Sequence, residues 1–170
     1  MLTALRHLLS ILILPFVVVV IVPGWLLAAF AAIDPRWGDG SLLGWIARIL
    51  GMMLLIPGLT LFAWCVSLFI RIGQGTLAPW DPTQKLVAVG PYQYVRNPMI
   101  SAVALLLISQ ALFWGSGVIA VWAGVFILVN HVYFVLSEEP GLEARFGASY
   151  RMYKANVPRW LPRRKPWSGE

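Results

Sequence analysis

Four long apolar stretches separated by short polar joints set the pattern of the chain. They run from about residue 8 to 33, 42 to 70, 99 to 113 and 118 to 136. A helix needs roughly 20 apolar residues to cross a bilayer core, so each stretch reads as a spanning helix. Trp114-Gly115-Ser116-Gly117 is a tight uncharged turn that makes the last two stretches an antiparallel hairpin. Pro15 and Pro23 lie inside the first stretch. A membrane helix tolerates them with a kink where neighbours satisfy the freed carbonyls. Gly44, Gly51 and Gly58 in the second stretch suit close helix approach. After the fourth stretch, Pro140-Gly141 predicts a kink or break before an amphipathic segment bearing Leu142, Phe146, Tyr150 and Tyr153. The expected fold is an all-α integral membrane protein. It is a single domain over residues 1–170, a bundle of about four transmembrane helices with a C-terminal amphipathic helical segment.

Composition excludes a soluble globule: 59% of residues are hydrophobic, 12% are charged, and the mean hydropathy is +0.78. Arg6 and His7 ahead of the first stretch, and Ala29-Phe30-Ala31 near its end, also suggest a secretory signal. The apolar run exceeds the 7 to 15 residues of a signal core, which favours a spanning helix. Arg6, Arg71, Lys85, Arg96 and the basic tail from Arg145 to Lys165 fall on one side of a four-span arrangement. Arg36 sits opposite, beside Asp34 and Asp39. The positive-inside rule then places both termini in the cytoplasm, and the expected location is a bacterial inner membrane. Trp37, Trp45, Trp80, Trp114 and Trp160 fall near span ends, as interfacial anchors do. The net charge of +6 reads as orientation and anionic-lipid contact, with no nucleic-acid motif beside it. Cys65 lies in an apolar run and reads as packing filler or a lipid-facing residue.

Chemistry concentrates in the run Gly90-Pro91-Tyr92-Gln93-Tyr94-Val95-Arg96-Asn97-Pro98 and in Glu138-Glu139, one hairpin later. Charge at the edge of an apolar helix is costly unless it faces a protein-lined cavity. Asn97-Pro98 is a helix start, with the Asn side chain expected to accept from a first-turn amide and Pro at a position needing no donor. The helix N-terminus and Arg96 together suit an anion. Residues 131, 135 and 138, or 130, 134 and 138, share a helical face, so an inward Glu138 brings His131 or Asn130 with it. Arg96 and the acidic pair are expected to border one water-reachable hollow. Taken singly, each residue has a plainer reading: a snorkelling Arg96, solvated glutamates, a hydrogen-bonded core His131.

Together with Leu142, Phe146-Gly147, Tyr150, Tyr153 and Val157-Pro158-Arg159, these segments resemble the isoprenylcysteine carboxyl methyltransferase family and its phospholipid methyltransferase relatives. The resemblance covers roughly residues 85 to 162. It implies a membrane enzyme that uses S-adenosylmethionine, with a pocket built from the last two helices, the loop before them and the C-terminal segment. On that resemblance the cofactor-binding residues are Tyr92, Tyr94, Val95, Arg96, Asn97, Pro98, Glu138, Glu139, Tyr150 and Tyr153. Arg159 would hold an acceptor carboxylate, and His131 or a Glu would take a proton from an amine or thiol acceptor. The acceptor is lipophilic, isoprenylcysteine carboxylate-like or else a phospholipid amine or thiol. Asn97 stands where the family has histidine, and Ile100 where it has tyrosine. That departure leaves a non-catalytic assembly or sensing protein as a second reading, and a sterol-type reductase as a third. Gly38-Asp39-Gly40 and Gly73-Gln74-Gly75 lack the strand context of a dinucleotide fingerprint. Two histidines and one cysteine lie far apart, so no metal is expected.

Overall fold

The computed structural model describes residues 13–37, 40–68, 71 and 86–169. The expectations placed on residues 8–12, Arg6, His7, Asp39, Phe69-Ile70, Gly73-Gln74-Gly75, Trp80 and Lys85 lie outside the described residues. The architecture is all-helical. Helix α1 covers Ile13–Ala29, α2 Leu42–Leu68, α3 Pro98–Trp114, α4 Gly117–Tyr133 and α5 Glu139–Asn156. A π-helical turn, Phe134–Glu138, joins α4 directly to α5, giving a helical run of 40 residues that kinks at Gly147. This helix and α2 are each long and apolar enough to cross a membrane; α1 and α3 are shorter apolar helices.

The apolar stretches of those two long helices are only 17% buried. A core helix of a soluble protein would be mostly covered. Here Leu42, Ile56, Val121 and Leu128 are 78%, 69%, 67% and 63% exposed, far more apolar surface than water tolerates on a monomer. The chain is built for lipid contact.

Helices α2 and α3 pack closely because glycines remove the obstacle between them. A Cβ on Gly51 would lie 2.8 Å from the Ser109 carbonyl oxygen, and one on Gly58 would lie 2.9 Å from Leu106. The Ser109 hydroxyl donates to the Gly51 carbonyl at 2.8 Å across the same contact. Cys65 is fully buried beside Tyr92 and Met99, which makes it packing filler. Arg48, in the second turn of α2, sets its guanidinium 5.4 Å from the Trp45 ring centroid.

Two prolines follow π turns by the same interval. Val17–Ile21 precedes Pro23, and Phe134–Glu138 precedes Pro140. Proline lacks a donor and crowds the preceding turn, and a widened turn accommodates both faults. Around Pro23 the carbonyls four and five residues back are recovered from other helices: Gln110 Nε2 donates to Val19 O at 2.8 Å, and Trp122 Nε1 donates to Val18 O at 3.1 Å. Around Pro140 the helix continues, which corrects the break expected there. The non-helical residue is instead Gly147, with φ 54° and ψ −126°.

At the opposite end, the joint after α1 is tied to the hairpin turn. Asp34 accepts from Ser116 Oγ at 2.6 Å and from Val118 N at 3.0 Å, and lies 3.6 Å from Arg36. Ser116 caps α4 by accepting from Ile119 N at 3.2 Å. Burial would raise the Asp34 pKa, but the Ser116 and Val118 hydrogen bonds and Arg36 outweigh it and hold the carboxyl below its ordinary value. Trp37 N donates to Gly115 O at 2.9 Å, and Gly115 itself has φ 59°. A Cβ on Gly115 would collide with the Trp37 carbonyl.

Candidate functional site

The other end of the bundle gathers the residues singled out for chemistry. Gly90–Gln93 forms a 3₁₀ turn, and α3 begins at Pro98. Asn97 makes no side-chain cap bond, contrary to expectation; its carbonyl instead accepts from Ser101 N and Ser101 Oγ, each at 3.0 Å. After α5 the chain turns back and runs along this segment. Arg96 N donates to Pro158 O at 2.9 Å, Arg163 N to Tyr94 O at 3.0 Å and Trp167 N to Gln93 O at 3.1 Å. Gln93 Nε2 returns a bond to Trp167 O at 3.0 Å. The tail is thus a strap across residues 93–96.

Beneath the strap, Tyr150, Tyr153 and Val157 form a buried cluster with Trp167 packed against it. The Tyr153 hydroxyl donates to Tyr92 O at 2.7 Å, anchoring α5 to the 3₁₀ turn. Tyr92 and Val95 are buried. These contacts use the aromatic residues of the amphipathic segment as core, with their spacing reset at Gly147.

Glu139 is the centre of the charge cluster. Its side chain is 5% exposed, and Arg159 Nε lies 2.6 Å from Oε1, Arg96 Nη1 2.9 Å from Oε1 and Lys154 Nζ 3.4 Å from Oε2. The Glu139 hydrogen bond raises the Arg159 pKa further, so that guanidinium stays charged. Three cations around one carboxylate leave surplus positive charge, part of which Lys154 shares with Glu143 at 3.7 Å. Arg96 Nη1 approaches Glu139 without hydrogen-bond geometry. Arg96 Nε, Arg163 Nη1 and Trp167 Nε1 are also buried without a hydrogen-bond partner. Buried donors normally find acceptors. All of these belong to the strap and the segment it covers.

The inward glutamate is therefore Glu139, where an uninterrupted helix would have turned Glu138 inward. The cause is the π turn. Glu139 N bonds Phe134 O, five residues back, so the turn holds one extra residue. The face that carries buried Phe134 passes to Glu139, and Glu138 is left half-buried. Asn130 Nδ2 bonds Phe126 O at 2.8 Å within its own helix. His131 Nδ1 accepts from Trp160 Nε1 at 3.1 Å.

The expected hollow is also relocated. Arg96 and Glu139 meet each other directly. The open space, about 480 Å³, lies beyond Tyr94 and Val95, walled by Leu61 and Trp64 of α2, Leu105 of α3, Ile127 of α4 and Trp160 of the strap. Its lining is almost wholly apolar. Such a volume lies within the ~300–1,000 Å³ of small-molecule sites. Four contributors escaped sequence reading. Leu61 and Trp64 sit in a helix with no motif, Trp160 resembled an interfacial anchor, and Lys154 reaches Glu139 only because the chain bends at Gly147.

The profile of the family described as phospholipid methyltransferase matches residues 46–149. An uncharacterized protein of Haemophilus influenzae is 40% identical over 65 residues, which is 37% of this chain and 100% of that protein.

Proposed function

The chain belongs to the phospholipid methyltransferase family, and from that membership we propose that it is a membrane-embedded, S-adenosylmethionine-dependent methyltransferase acting on a lipophilic acceptor. The observation that carries the reading is the juxtaposition of a cation-rich polar cluster, holding unpartnered buried donors, with an apolar cavity next to it. The first suits the carboxylate of an amino-acid group. The second suits hydrocarbon.

S-Adenosylmethionine supplies a methyl group on a cationic sulfonium, and the protein supplies orientation, electrostatics and exclusion of water. Arg96, with its unpartnered Nε beside the α3 N-terminus, would hold the cofactor carboxylate. Half-buried Glu138 offers a carboxylate for its ammonium group or ribose hydroxyls, while Glu139 holds Arg96 and Arg159 in place. Tyr150 and Tyr153 hold α5 against the Tyr92 segment, and the strap from Val157 to Trp167 closes the cluster from water. Tyr94 and Val95 divide the cluster from the cavity, so they are where the two substrates would meet.

For the acceptor we propose a lipid headgroup. A phospholipid amine and an isoprenylcysteine carboxylate would use the same cavity for their chains, and only the amine needs a proton removed. With the carboxylate, alignment alone supplies much of the rate. Glu139 claims Arg159 at 2.6 Å, so Arg159 is better placed to hold the charge cluster than to hold an acceptor carboxylate.

Isothermal titration of purified protein with S-adenosylhomocysteine tests the cofactor, with binding expected and its absence at high protein concentration overturning the reading. Transfer of label from S-adenosylmethionine to phosphatidylethanolamine, or to a farnesylcysteine analogue, then separates the acceptors. Cofactor binding with no labelled product from a full membrane lipid extract would favour the non-catalytic reading.

A further inference from the structure

Adjacent residues of the strap face different partners. Arg159 is bound to Glu139 at 2.6 Å, whereas Trp160 lines the apolar cavity and donates its indole N–H to His131 Nδ1 at 3.1 Å. The Trp160 ring also lies against Phe134, with centroids 5.8 Å apart at 48°. Backbone bonds at Pro158 O and Arg163 N fix the strap on either side of Trp160. They fix its backbone and leave its two side-chain torsions free. What sets the indole is its contact with α4 and the π turn: the face of Phe134 and the ring nitrogen of His131.

We propose that His131 is a positioning residue that holds Trp160 as a wall of the acceptor cavity and thereby sets the girth of the hydrocarbon chain admitted. The inference rests on the reading that this cavity receives the acceptor's chain. An indole N–H facing apolar surroundings needs an acceptor. The unprotonated nitrogen of neutral histidine supplies one at the required height on α4. Without it the indole loses its preferred orientation, and swinging inward it fills the space a chain would take. Swinging outward, it opens the cavity to bulkier chains. Selection by a pinned aromatic wall requires no contact between His131 and the reacting atoms. It gives this residue a task distinct from the proton transfer for which its residue type first suggested it.

The test uses full-length protein reconstituted with phosphatidylcholine carrying a dibrominated acyl chain, since bromine quenches an indole it touches. The Trp160 share is the wild-type signal minus that of Trp160→Phe, both variants first shown helical by circular dichroism. Trp160-specific quenching is expected in the wild type, with most of it lost in His131→Leu and retained in His131→Gln, which keeps an acceptor. His131→Phe removes the acceptor while filling the space, and is measured in parallel so that misfolding of one variant does not end the experiment. Equal Trp160 quenching in wild type, His131→Leu and His131→Phe overturns the positioning role while leaving the cavity assignment intact. Absence of Trp160-specific quenching in the wild type itself overturns both.

Discussion

Glu139 is the member of the acidic pair that is turned into the protein, and its place there has measurable weight. Its carboxylate is the shared partner of Arg96 and Arg159, whose side chains are 11% and 22% exposed. Removing one member of a buried ion pair leaves the others uncompensated, at about 3–5 kcal/mol. Glu139→Ala is therefore expected to destabilise the protein by about that amount, and half-buried Glu138→Ala by much less. Chemical denaturation in detergent, followed by far-ultraviolet circular dichroism, compares the two, and equal losses would sink the assignment. Sequence reading found the acidic pair and the arginine because charge next to an apolar run is conspicuous. It named both glutamates without ranking them: helical periodicity of 3.6 residues per turn would turn Glu138 inward, and the π turn, which inserts one more residue, turns Glu139 inward instead. Gly147 has the opposite character. Nothing lies within 4 Å of where its Cβ would be, yet φ is 54°. Gly147→Ala should cost about 1–3 kcal/mol through backbone strain alone, read in the same denaturation experiment.

At the scale of elements, the stability of α1 depends on donors from its neighbours. Gln110 donates to Val19 O, four residues before Pro23, and Trp122 to Val18 O. Interhelical hydrogen bonds in membranes average about 0.6 kcal/mol and reach about 1.7 kcal/mol. Gln110→Leu should fall at the upper end, because the carbonyl it abandons has no amide to return to. In a Pro23→Ala background an amide exists, and the same substitution should cost less. A double-mutant cycle by thermal unfolding measures the difference, and strict additivity would contradict the account. The link between α1 and the hairpin turn depends instead on charge. Asp34 has a lowered pKa in the folded state, so its contribution is fully present above the ordinary carboxylate value and is lost as pH falls through the lowered one. The melting temperature of Asp34→Asn should lie below that of the wild type at pH 7, and the gap should close on acidification below about pH 4. A constant gap would mean the carboxylate acts by shape alone. Prolines and the tight turn were legible in the sequence because their local chemistry is strong. The carbonyl donors were not, since Gln110 and Trp122 lie some ninety residues or more from the bonds they complete.

For the whole molecule, hydropathy located the helices well because lipid leaves a spanning backbone few options. It did not show which helices would wall the cavity, because packing between apolar helices follows small residues such as Gly51 and Gly58, which carry no directional signal of their own. The remaining global property is orientation. The described joint around Ser41 and the tail around Ser168 lie at opposite ends of the bundle: Ser41 precedes α2, while Trp167 is bonded to Gln93 at the far end of α2. Both serines are exposed, and Cys65, the only cysteine in the sequence, is fully buried. A background thiol signal is therefore weak. The excess of Lys and Arg at the strap end predicts that this end is cytoplasmic. In intact cells a membrane-impermeant maleimide should label Ser41→Cys directly, and Ser168→Cys only after permeabilisation. Labelling in the reverse order would place the charge cluster outside, where S-adenosylmethionine made in the cytoplasm would not reach it, and the orientation and the proposed activity would fall together.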